Sequence, residues 1–153
     1  MMNDNEQEIR THIEKIAYPT FEQRVREWIA AGKLGAPYTV LEQIFLMAKA
    51  GGEGVVPVRN NLDQNGELSG FTIKTVRAGQ EGAHYVPVFT RSVYAEKAGS
   101  RTNVIAYPLQ KLMQIAGSDP QCAGLVFDPW TYDFVVPADA CRFFLEEAQK
   151  QQA

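Results

Sequence analysis

Two cysteines, two histidines and no run of basic residues are what this 153-residue chain offers least of, and each scarcity closes off a class of function. The cysteines, Cys122 and Cys141, share no metal or redox spacing. A domain of this length buries roughly 70% of its unfolded surface without covalent staples, so the plain reading is two reduced, buried thiols in a cytosolic protein. A disulfide or a reactive thiol is the other reading. The histidines, His12 and His84, fall short of the two or three ligands at a recognisable spacing that a metal site requires. No metal and no cofactor is expected. A net charge of −3 without a basic stretch argues against a nucleic-acid partner. The longest apolar-rich stretch, Val40 to Ala50, is interrupted by Glu42, Gln43 and Lys49 and is far shorter than the ~20 residues of a membrane span. The opening residues Met1 to Glu6 are polar and acidic, unlike a secretory signal, so a cytoplasmic protein is expected.

Catalytic signatures are equally scarce. Ser92, Ser100 and Ser118 fall at helix or turn boundaries, where hydroxyls satisfy backbone donors, and none sits in Gly-x-Ser-x-Gly. Glycines 51, 52, 54, 79 and 82 do not follow the phosphate-binding order of strand, glycines, helix. No catalytic residue is assigned, and the chain is expected not to be an enzyme.

What is present is ordered. At 45% hydrophobic and 22% charged the chain reads as globular, and no linker or repeat divides it. Residues 1–37 read as a helical segment packed on the body, and residues 38–153 as the main domain. In the segment, Ile9, Ile13 and Ile16 recur at helical spacing until Tyr18-Pro19 stops the helix. Thr20 and Gln23 have capping-box spacing, and Phe21, Val25, Trp28 and Ile29 form the next stripe, ended by Gly32. Thr39 and Glu42 repeat the capping signal. The helix that follows is apolar nearly all round, which predicts burial between layers.

From Val55 the period becomes two. Val55–Val58, Phe71–Val76 and Tyr85–Phe89 read as an antiparallel meander, with Asn65-Gly66 as a hairpin turn. Pro57 and Pro87 lack ladder donors, so at least one belongs at an edge or bulge. Then come a short helix Ser92–Lys97, a strand Val104–Tyr107, a helix from Pro108 with Leu109, Leu112, Met113 and Ala116 inward, a strand Gly124–Phe127, a returning strand Phe134–Val136, and a last helix from Pro137 with Cys141, Phe144, Leu145 and Ala148 inward. The fold class expected is α+β: a single mixed, largely antiparallel sheet of five or six strands with helices packed on it.

Two stretches carry a resemblance. Tyr85-Val86-Pro87-Val88-Phe89-Thr90 before a short helix, and Gly124-Leu125-Val126-Phe127-Asp128-Pro129 before a hairpin and last helix, resemble the N-terminal domain of SseB proteins. Val55-Val56-Pro57-Val58 is similar to that family's earlier strand. The resemblance covers roughly residues 38 to 148 and departs at Asp128, where asparagine is more typical, and in the longer helical segment before Thr39. The family's second, C-terminal domain is not expected in this chain. The resemblance implies a bacterial source and no established reaction. Together with the missing catalytic constellation and the acidic balance, it leads to the expectation of a protein that works by binding another protein, as a secretion-associated adaptor or in a toxin-neutralising or regulatory role.

The candidate binding surface is the loop Asp128 to Asp133. Trp130 and Tyr132 sit two apart in it, so alternation in a hairpin would place both on one side as anchors. Asp128 joins them, and Arg91 is a neighbouring charge if the preceding strand ends nearby. The plainer readings are that the aromatics cover the sheet, that Asp128 initiates a turn before Pro129, and that Asp133 closes it. The alternative function is a small-molecule sensor or enzyme with a site assembled around His84, Asp128 and Cys122. A homodimer is plausible, through an exposed sheet edge or the thin Ile9–Ile16 stripe.

Overall fold

The computed structural model describes residues 20–33, 37–78, 82–99 and 103–152. The expected helix carrying Ile9, Ile13 and Ile16 lies outside the described residues, as does all but Gly82 of the turn expected from Gly79 to Gly82. Among the described residues, five helices and seven strands follow one another: α1 (20–30), α2 (Tyr38–Lys49), β1 (Glu53–Leu62), β2 (Leu68–Ile73), β3 (Val76–Ala78), β4 (Ala83–Val88), α3 (Ser92–Lys97), β5 (Val104–Pro108), α4 (Leu109–Ser118), β6 (Cys122–Phe127), β7 (Phe134–Pro137) and α5 (Ala138–Gln152).

The α+β class and the mixed, mostly antiparallel pairing are as expected. The strands, however, divide into two sheets, ordered β2-β1-β5 and β3-β4-β6-β7, where one sheet of five or six strands was expected. Two prolines account for the division. Val55 and Phe89 exchange both backbone hydrogen bonds, at 2.9 and 2.8 Å, and so begin a ladder between β1 and β4. Two residues further along an antiparallel pair the next such exchange falls due. That step sets Pro57 opposite Pro87, and neither has an N–H to give. The ladder stops after one pair. The Pro57 carbonyl accepts the Lys74 N–H instead, at 2.9 Å, and β1 turns to β2 from Val58 onward. The sheet break is thus written in the two prolines. The expected meander is corrected at the same place: β2 runs on into the β3–β4 hairpin and does not pair with β4.

β4 and β6 are parallel, with Val86 opposite Leu125 and Val88 opposite Phe127, all buried. α4 lies over β6 and against α5, and it buries Leu109, Leu112, Met113 and Ala116, the stripe read from its spacing. Pro108 closes β5, one residue before the helix it was expected to start, and Pro137 likewise closes β7. Gly124 has φ +149, and a Cβ there would run into the Val136 carbonyl oxygen, so the β6–β7 pairing requires glycine.

Two helix expectations change. α2 begins at Tyr38 with Pro37 ahead of it and no side-chain cap, so Thr39 is already inside the helix. Nor is α2 buried all round: Val40, Ile44, Met47 and Ala48 enter the core, whereas Tyr38 and Leu46 are 74% and 50% exposed. In α1, Phe21 and Val25 are fully buried and Trp28 meets Phe134 edge-on at 5.4 Å, but Ile29 reaches the surface.

No helix among the described residues is long and apolar enough to cross a membrane. Both cysteines are free. Cys141 is buried, and that burial, with Cys122 close by, pushes its thiol up to about 12.

Candidate binding site at the Asp128–Asp133 turn

β6 ends at Phe127, and the chain reverses over the next six residues. Asp128 organises the reversal. It adopts φ +50, and its carbonyl oxygen accepts the N–H groups of Thr131, Tyr132 and Asp133 at 3.0, 2.8 and 3.1 Å. Its own N–H donates to Val88 at 2.8 Å. Its carboxylate accepts the Thr90 N–H and the Thr90 hydroxyl, each at 2.7 Å. The ends of β4 and β6 are therefore stitched together through one fully buried side chain. That burial pushes the Asp128 carboxyl up to about 6, against the lowering effect of the two Thr90 hydrogen bonds; the charge of Glu22 raises it further, and Arg91 opposes it.

Asp133 closes the turn by accepting the Trp130 N–H at 2.9 Å. Trp130 and Asp133 both have positive φ, at 66° and 52°. The segment is thus a tight turn with three left-handed residues, Asp128, Trp130 and Asp133, and the period-two alternation expected of a hairpin does not apply. Its aromatics part company. Trp130 is 63% exposed, whereas Tyr132 is 8% exposed and belongs to the core. The expectation that both lie on one side is corrected.

Tyr132 opens onto a polar network that crosses the domain. Its hydroxyl accepts the Arg26 Nε–H at 2.9 Å and lies 3.4 Å from the Tyr94 hydroxyl, with the two rings edge-to-face at 5.8 Å. Tyr94 donates to Glu22 Oε1 at 3.1 Å, and Arg91 pairs with the same oxygen through Nε. Arg26 Nη2 stands 3.7 Å from Glu22 Oε2. Glu22 is buried, while the two arginines keep part of their surface in water. Burial, the Tyr132 hydrogen bond and the Glu22 charge all hold the Tyr94 phenol above its usual range, so it stays protonated and donating. The network fixes the inner face of the turn through side chains from α1 and α3, and the exposed Trp130 side chain takes no part in it.

Arg91, Asp128 and Tyr132 are thus brought together, with Trp130 on the outer side of the same turn. Sequence reasoning missed Glu22, Arg26 and Tyr94. One signal for Glu22 was present. It lies on the helical row of Val25 and Ile29, three and seven residues on, so it is a carboxylate set into an apolar stripe.

The other grouping, His84 with Asp128 and Cys122, does not assemble. His84 and Cys122 are cross-strand partners at the start of the β4–β6 ladder. Asp128 follows the opposite end of β6, about 20 Å away at 3.3 Å per residue. His84 instead lies within 3.4 Å of the Thr75 hydroxyl, and with Cys122, Asp119 and Tyr107 it lines an open groove of about 600 Å³. No group of three or more potential metal ligands occurs among the described residues.

Fold and site define a small α+β domain in which the turn that exposes Trp130 is held on its inner face by a carboxylate–arginine–tyrosine network. Residues 39–142 match the SseB protein N-terminal domain, and since this is more than half of the chain, the protein belongs to that family. Arg91, Tyr94, Asp128, Trp130 and Tyr132 fall within the matched span, and α1, the source of Glu22 and Arg26, precedes it. No curated protein and no solved structure matches the chain.

Proposed function

We propose that this is a non-enzymatic bacterial protein that works in the cytoplasm by binding another protein, with the Asp128–Asp133 turn as the contact surface and Trp130 as its anchor. The supporting observation is the exposed indole on a backbone that three N–H groups tie to one carbonyl. A large aromatic held outward on a rigid turn gives up little conformational freedom on binding, and anchors of this kind dominate interface energetics. Arg91 and Arg26, half in solvent at the edge of the turn, supply charged neighbours. The test is affinity capture from the source cells with the wild-type chain and with Trp130→Ala. A stoichiometric partner whose affinity falls about 30-fold or more for the variant supports the reading. A partner that binds both chains equally removes it.

One observation favours a second reading, a small-molecule sensor or enzyme: the groove at His84 and Cys122 is large enough for a drug-sized ligand and has several polar groups facing it. A metabolite that raises the melting temperature and shields Cys122 from thiol reagents would move the function to that groove.

A further inference from the structure

The side of α2 that turns away from the core carries Tyr38, Leu41, Glu42, Phe45, Leu46 and Lys49. With Ala140, Phe143 and Phe144 of α5 it forms an open, largely apolar groove of about 540 Å³. Leu46 and Phe143 are 50% and 58% exposed, and Phe45 stacks on Phe144 with ring centroids 4.9 Å apart. Contiguous apolar surface of this kind on a small domain marks a contact site.

The charges say what covers it. Glu42, Phe45, Leu46 and Lys49 stand at i, i+3, i+4 and i+7, on one face of α2. The midpoint between Glu42 and Lys49 is also the midpoint between Phe45 and Leu46. When two identical helices cross antiparallel about a two-fold axis at that midpoint, Phe45 meets Leu46 of the second copy and Glu42 meets Lys49, each contact occurring twice. Neither Glu42 nor Lys49 has an ion-pair partner among the described residues. The α2 face is thus complementary to itself in charge, and the groove's other charged residue, Glu147 of α5, already pairs with Lys150 at 3.2 Å. We infer that α2 and the adjoining α5 groove form a two-fold homodimer interface, with a second copy of this chain as occupant. The surface is separate from the Trp130 turn, so it stands or falls independently of the proposed function.

The experiment is sedimentation equilibrium of the full chain across a wide concentration range, with four variants whose folding is checked by circular dichroism and urea titration. Wild type is expected to reach twice the chain mass. Leu46→Glu, at the axis, is expected to abolish association. Glu42→Lys alone and Lys49→Glu alone each place like charges opposite one another twice and are expected to weaken the dimer at least about tenfold. The double exchange, Glu42→Lys with Lys49→Glu, restores the pairing and is expected to return to within about threefold of wild type. A wild-type chain that stays monomeric throughout overturns the inference, whether the groove is open or covered by another part of the chain. So does a dimer indifferent to Leu46→Glu, or single charge variants that the double exchange fails to rescue.

Discussion

Replacing Asp128 by asparagine should stabilise this protein at neutral pH and leave it nearly unchanged in acid. The Asp128 carboxylate is fully buried and accepts two hydrogen bonds from Thr90. An asparagine in the same place keeps both: its oxygen accepts the Thr90 N–H, and the Thr90 hydroxyl rotates to accept from the amide nitrogen. The charge is what changes. Burial raises the carboxyl from its ordinary 3.8 to about 6 in the folded chain. A group whose folded value is raised contributes fully below its unfolded value, and that contribution is lost as pH rises through the folded value. The window here therefore runs from about pH 4 to pH 7. At about 1.4 kcal/mol per tenfold, the shift from 3.8 to about 6 corresponds to roughly 3 kcal/mol lost by the wild type across that window. Asparagine does not titrate, so the stability difference between the chains should grow from a few tenths of a kcal/mol near pH 4 to about 3 kcal/mol near pH 7.5. Urea denaturation of both chains at several pH values reads this directly. A difference that is flat with pH, or an asparagine variant less stable than wild type at pH 7.5, would refute the claim that Asp128 is a charge held against its desolvation cost.

Other outcomes follow from single contacts. Gly124→Ala combines a φ of +149 with a Cβ driven into the Val136 carbonyl, and should cost about 3 kcal/mol or more in the same denaturation assay. Tyr132→Phe removes the acceptor of the Arg26 Nε–H and a neighbour of the Tyr94 hydroxyl, and should cost about 1 to 2 kcal/mol while keeping the fold. Cys141, buried and with its thiol raised to about 12, should resist a thiol reagent until the chain unfolds, whereas half-buried Cys122 should react in the native protein.

Much of the scaffold was legible because it rests on local chemistry. The i, i+3, i+4, i+7 stripe of α4 placed Leu109, Leu112, Met113 and Ala116 inward, and the Asn65-Gly66 dipeptide marked the β1–β2 hairpin. Pro57 and Pro87 each lack a ladder donor, which placed at least one of them at an edge or bulge. That they break the same ladder depends on their meeting across β1 and β4, and only the register shows this. The face of α2 left in water was not legible, since its apolar circumference says nothing about which neighbours exist. At the turn, residue type drew attention to Trp130 and Tyr132, but their opposite fates come from left-handed backbone at Asp128, Trp130 and Asp133, for which no glycine gave a cue. The Glu22 network joins residues 22, 26, 91, 94 and 132, and no spacing along the chain reveals a contact of that range.

Contact between Trp130 and a partner protein can be read by photo-crosslinking. A photoreactive phenylalanine at position 130 and, as a control, one at Ser69 on the exposed β2 strand are to be expressed in the source cells and irradiated. Position 130 is expected to give a single dominant adduct that is missing from position 69 and is competed away by added wild-type protein. Crosslinking from Ser69 alone, or none from position 130 while the chain still carries a stoichiometric partner, would contradict it.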